Sequence, residues 1–70
     1  MRYPDTPAVQ RAARLRLHWE QGELRQFAGM VAMMREGEAK DTITAVVLIA
    51  HLDVLSLRNM IMTWDAQCSG

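Results

Sequence analysis

The side chains that could do acid–base, nucleophilic or metal chemistry are few and scattered. His18 and His51 fall on different predicted helices, and the chain has no Glu-x-x-His or His-x-x-x-His pair, so the usual helical metal-site spacing is missing. On a helix, His51 and Asp53 point about 160° apart and cannot act together as a base and its orienting carboxylate. We therefore expect neither a metal site nor a catalytic histidine.

Nucleophilic catalysis lacks its surroundings as well. Cys68 lies two residues from the end of the sequence, where no preorganised oxyanion site is expected to enclose it. Ser56 falls in the middle of a predicted helix, without a Gly-x-Ser-x-Gly turn. Two helices offer little concavity for an active site. Four carboxylates are therefore expected to lie outside any pocket: Glu20, Glu23, Glu36 and Glu38. The sequence predicts a protein that is not an enzyme and binds no cofactor.

A basic stripe is the most suggestive polar feature. At 100° per residue its members lie within about 60° of one another on the outer face of the first helix. Such a stripe could meet phosphates, but no aromatic side chain interleaves it as a stacking platform. The formal net charge is zero, with eight Lys and Arg against eight Asp and Glu, so bulk positive charge gives no reason to bind nucleic acid. We interpret the stripe as a solvated face and keep nucleic-acid binding as an alternative. The stripe consists of Arg11, Arg14, His18 and Arg25.

The first long helix is predicted to begin at Pro7, with Thr6 as its N-cap, and to run to Glu36. Gly37 occupies the place of a C-cap glycine, and residues 37–40 read as a short connection to a second helix. The apolar positions of the first helix share one face: Val9, Ala13, Leu17, Leu24, Phe27, Val31 and Met34.

The second long helix is predicted to be capped by Asp41 or Thr42 and to run to Gln67. We expect residues 1–6 to be an extended lead-in and residues 68–70 to be a frayed tail. The main apolar face of this helix consists of Ile43, Val46, Val47, Ala50, Val54, Leu57, Ile61 and Trp64.

Two alternatives qualify this helical hairpin. Gly22 costs about 1 kcal/mol against Ala in the middle of a helix, which is tolerable, so a continuous or merely bent first helix is preferred and a break at Gly22 is the alternative. Residues 42–49 are rich in β-branched side chains and could form a strand. An isolated strand has no pairing partner in this chain, so the helix is the preferred interpretation. The predicted fold is an all-α, two-helix antiparallel hairpin.

The second helix has a second apolar face, opposite its main one, formed by Ala45, Leu48, Ile49, Leu52 and Leu55. One partner helix cannot cover both faces, so the second face must meet another chain or remain exposed. The sequence predicts a homodimer whose two hairpins build a four-helix bundle, and docking of a different protein on this face is the alternative. Near the hairpin tip, small side chains and an adaptable Met would admit a partner closely. The predicted interface is therefore Leu48, Ile49, Leu52, Leu55, Gly29, Ala32 and Met33.

The hairpin register also predicts two cross-helix ion pairs. Folding the chain about residues 38–39 brings Glu20 near Arg58 and Arg16 near Asp65. Exposed pairs of this kind contribute about 0–1 kcal/mol, so their expected role is to set the register.

Composition limits the remaining function classes. Seventy residues allow one domain, 50% hydrophobic residues argue against disorder, and a single Cys excludes a disulfide framework. No apolar run approaches the roughly 20 residues of a membrane span, and the first residues lack a signal-peptide core, so a cytoplasmic protein is expected. We predict a small protein-binding regulator, inhibitor or adaptor, of a kind associated with phages and mobile elements. The rivals are a nucleic-acid-binding regulator and a structural subunit of a larger complex.

Overall fold

The computed structural model describes the backbone of residues 6–69 and the side chains of residues 6–67. This part of the chain is entirely α-helical, which confirms the predicted class and places residues 42–48 in a helix rather than a strand. The hairpin of two long helices is wrong, because each long helix is broken into two shorter ones. In chain order the helices are α1 Pro7–Glu20, α2 Leu24–Ala32, α3 Glu36–Leu48 and α4 Val54–Ser69.

The start of α1 is the one predicted. Thr6 has an extended backbone and is the N-cap, and the backbone N–H of Val9 donates to its Oγ1 at 3.3 Å. Pro7 follows at the first helical position, where its missing N–H costs nothing. Residues 1–5 of the predicted lead-in lie outside the described residues, as does Gly70 of the predicted tail, while α4 continues through Ser69.

The end of α1 resolves the alternative at Gly22 in favour of a break. Gly22 has φ +76°, a left-handed conformation that Gly adopts without steric cost. The N–H of Glu23 donates to the carbonyl of His18 at 2.9 Å, and the N–H of Gly22 donates to that of Trp19 at 3.0 Å. This is the Schellman arrangement that closes a helix.

The second break falls at residues 33–35, earlier than the predicted connection. Gly37 is therefore not a C-cap but lies in the first turn of α3, and Asp41 and Thr42 lie inside that helix instead of capping it. The start of α3 is stabilised by the Glu38 carboxylate, whose Oε1 accepts the backbone N–H of Arg35 at 3.1 Å. A side chain that satisfies a free N–H at a helix start favours the start at that position.

The third break, at residues 49–53, interrupts the predicted second helix. Asp53 begins α4: its Oδ1 accepts the backbone N–H of Ser56 at 2.7 Å, and its carbonyl accepts that of Leu57 at 3.0 Å. Within the break, the carbonyl of Ala50 accepts a hydrogen bond at 3.1 Å from Arg16 of α1. Both sides of this break thus have polar partners.

The core is built around α1, which packs against α2, α3 and α4. Leu15 is fully buried although it lies outside the predicted apolar face of the first helix. A helix with neighbours on several sides buries more than one of its faces, which a two-helix hairpin does not require. The buried apolar residues are Val9, Ala12, Ala13, Leu15, Ala45, Val46, Ile49, Leu57 and Trp64.

The breaks also correct the predicted core. Leu24, Ile43 and Val47 belong to the predicted apolar faces but are 64%, 46% and 72% exposed. Conversely, Ala45 and Ile49, predicted on the outer face of the second helix, are 6% and 0% exposed. A helix that starts again after a break is free to rotate about its axis, so the phase predicted for one continuous helix no longer decides which side faces inward.

No helix of the described chain is both long and apolar enough to cross a membrane.

Candidate functional site

The residues considered for chemistry do not converge. His18 lies at the end of α1, where its Nδ1 is 2.5 Å from Oε2 of Glu23 across the break. His51 is exposed in the connection between α3 and α4, and Ser56 lies in the first turn of α4. Among the described residues, no group of three or more His, Cys, Asp and Glu side chains is placed to hold a metal ion. The side chain of Cys68 lies outside the described part of the chain.

The predicted basic stripe is divided by the break at Gly22, which leaves Arg25 exposed on α2. Arg11 turns toward α3, where its Nε donates to Oγ1 of Thr42 at 2.9 Å and its Nη1 lies 3.7 Å from Oε2 of Glu38. Thr42 is fully buried, so this hydrogen bond links α1 to the interior side of α3.

Arg14 and His18 also face carboxylates. Arg14 Nη2 donates to Oδ1 of Asp65 at 2.9 Å, and His18 contacts Glu23. A phosphate would have to compete with these carboxylates for the basic groups of α1, which does not favour the nucleic-acid alternative. That alternative stays a prediction.

The ion pairs differ from the predicted ones. Arg16 pairs with Glu20 one turn further along α1, at 2.7 Å, and Asp65 pairs with Arg14. The guanidinium of Arg16 lies 5.7 Å from the centre of the Trp19 ring. Besides its contact with Glu20 in α1, Arg16 reaches the break at residues 49–53, where its Nη2 donates to the carbonyl of Ala50, a group that a continuous helix would have paired within itself.

The predicted interface residues are also separated. Ile49 belongs to the core, and Leu52 is half-buried and packs against it, so neither forms a free surface. Leu48 and Leu55 are 52% and 67% exposed. Gly29 and Ala32 are exposed on α2 and Met33 just after it, so they belong to a different helix from the aliphatic members.

An uncharged apolar ridge on α3 is what the structure brings together instead. Ile43 and Val47 are one helical turn apart and share a face, and Leu48 lies beside Val47. We name these three residues the α3 ridge. Between residues 42 and 52 the sequence has no Asp, Glu, Lys or Arg.

Ile43 and Val47 lie on the core face of the predicted hairpin, so the sequence pattern does not mark them as exposed. The break at residues 33–35 frees α3 to turn about its own axis, and no Gly or Pro marks that break in the sequence. Comparison of the chain with protein-family models, with curated proteins and with solved structures finds no match.

Proposed function

We propose that this chain is a non-enzymatic protein-binding module, a small regulator, inhibitor or adaptor, whose contact surface is the α3 ridge. The observation that carries this proposal is the exposure of Val47, 72%, on a helix whose opposite side is packed into the core. A β-branched aliphatic residue at such a position contributes little burial energy to the fold of the monomer, and it contributes more when a partner covers it.

The absence of charge along residues 42–52 indicates the chemistry of the partner. The buried centre of a protein interface is depleted in charged residues, whereas a nucleic-acid surface requires positive ones. Side chains at i and i+4, such as Ile43 and Val47, are the anchors by which a helix lies in an apolar groove. The partner we expect is a protein with a hydrophobic groove that accepts one face of α3.

The test uses a photo-crosslinking amino acid in place of Val47, with the same replacement at Met62 as the matched control. Met62 is 68% exposed, on α4, so both sites are equally accessible and neither is in the core. We expect one protein to be linked through position 47 and not through position 62. The captured protein is then purified and titrated with the chain.

In that titration we expect Val47→Asp to weaken binding at least tenfold, because the partner's groove would have to desolvate a carboxylate. Met62→Asp should leave the dissociation constant within about twofold, as expected for a substitution outside the interface. Equal binding by the two variants, or no adduct specific to position 47, would overturn the proposal. Leu52→Asp is unsuitable as a probe, since Leu52 packs against the core.

A further inference from the structure

A single short connection joins α1 to the three helices that it packs against. Within the described residues, α1 packs against each of the other three helices, and these make almost no contact with one another. Residues 21–23 alone join α1 to that group. A change in the backbone conformation of residues 21–23 would therefore move α1 as a unit relative to the three helices it packs against.

The sequence on the two sides of the break is also compatible with one continuous helix. The apolar positions Val9, Phe27 and Val31 would lie within about 40° of one another if α1 and α2 formed one continuous helix. The left-handed Gly22 and the two hydrogen bonds of the Schellman turn close α1 where it ends, and His18 contacts Glu23 across the break. No side chain of α2 is fully buried, although Phe27, Met30 and Val31 pack partly buried against the core.

We infer that Gly22 is a hinge through which two copies of this chain exchange α1 and form a domain-swapped dimer. In that dimer α1, residues 21–23 and α2 are one helix, and α1 of each copy packs against α2, α3 and α4 of the other. Every contact of α1 in the core is remade with identical residues, so the exchange alters the free energy mainly at the hinge.

The residue at position 22 determines the equilibrium between the closed monomer and the swapped dimer. Gly adopts a positive φ freely and is a poor helix residue, so it favours the closed monomer. Ala reverses both preferences, because its Cβ disfavours a positive φ and its helix propensity is high. An added Cβ at Gly22 would meet no atom within 4 Å, so the substitution changes the backbone preference without a clash.

The first experiment compares Gly22→Ala with wild type by light scattering on a sizing column over a concentration series. We expect the dissociation constant of the dimer to fall roughly 1,000-fold, since each chain gains roughly thirtyfold from leaving a positive φ and from better helix propensity. The matched control is Gly29→Ala, which is inside α2, also has open space for a Cβ and should leave the mass unchanged. A Gly22→Ala protein that is monomeric like the control, or unfolded by circular dichroism, would overturn the inference.

The second experiment establishes that the dimer is swapped. In the Gly22→Ala background, chains carrying Arg14→Asp are mixed with chains carrying Asp65→Arg, and native mass spectrometry counts the dimers. A swap pairs α1 of one chain with α4 of the other, so the mixed dimer has no like-charge contact at the position of the 2.9 Å ion pair and should exceed half of the total. A statistical mixture would contradict the exchange of α1.

The inference does not depend on the α3 ridge, and a further variant separates the two proposals. Val47→Asp in the Gly22→Ala background should remain dimeric if α1 is exchanged. Loss of the dimer in that variant would assign self-association to the ridge instead.

Discussion

Arg11 joins two helices through the interior. Its Nε donates at 2.9 Å to the hydroxyl of Thr42, which is fully buried, while its Nη1 faces Glu38 at the edge of the core. A buried hydroxyl that loses its partner retains the cost of its desolvation, which makes such a contact more important than an exposed ion pair.

We therefore expect Arg11→Ala to lower the free energy of unfolding by about 1–3 kcal/mol, as for a buried polar group left without a partner. Arg14→Ala is the matched control, because it removes an exposed ion pair worth about 0–1 kcal/mol. Urea denaturation of both variants, of Thr42→Val and of the double variant Arg11→Ala/Thr42→Val completes the cycle. Additive effects of Arg11→Ala and Thr42→Val would show that the two side chains are not coupled.

The polar residues at the helix ends decide how many helices form. Asp53 is the clearest case, since it accepts the N–H of Ser56 at 2.7 Å and begins α4 inside a stretch that otherwise reads as one helix. Hydrogen bonds from the backbone N–H and the side chain of Ser56 lower the pKa of the Asp53 carboxyl, because they favour its charged form.

A lowered pKa makes the contribution of Asp53 to stability present above the carboxyl's ordinary pKa, and it is lost as pH falls through the lowered value. We expect Asp53→Ala to lower the melting temperature at pH 7 and to approach wild type at an acid pH below the lowered pKa, where the wild-type carboxyl is protonated. Asp53→Asn should keep the cap at pH 7 and lose this pH dependence. If the melting temperatures of Asp53→Ala and wild type differed equally at neutral and at acid pH, the charged cap would have no role.

At the scale of the whole molecule, α1 is the helix around which the other three assemble. A two-helix hairpin and a four-helix fold centred on α1 predict opposite burial for two leucines. Leu24 belongs to the apolar face of a continuous first helix but is 64% exposed, and Leu15 lies off that face but is fully buried.

We expect Leu15→Ala to lower the free energy of unfolding by about 2–5 kcal/mol, the range for a fully buried leucine. Leu24→Ala should change it by no more than about 0.5 kcal/mol, as for a surface position. Chemical denaturation of the two variants under one set of conditions checks both values. A larger loss of stability for Leu24→Ala than for Leu15→Ala would support the two-helix hairpin instead.

The predictable part of this fold rests on local chemistry. Thr6 and Pro7 mark the start of α1 because an N-cap hydroxyl and a proline ring act within one turn. The break at Gly22 was open to prediction for the same reason. Asp53 was overlooked because a polar residue inside a long apolar pattern also fits the solvent side of a continuous helix. The break at residues 33–35 contains neither Gly nor Pro and carries no comparable local signal.

The all-α class, the start of the first helix and a second half that is apolar on more than one side all follow from local residue chemistry. Which apolar residues are covered depends instead on tertiary packing, because each break frees the following helix to turn about its own axis. It also decided that Arg11 and Arg14 face Thr42 and Asp65, residues far away in sequence, since the partner of a long charged side chain depends on which helices become neighbours. The α3 ridge is a product of both: the residues are apolar by sequence and exposed by packing.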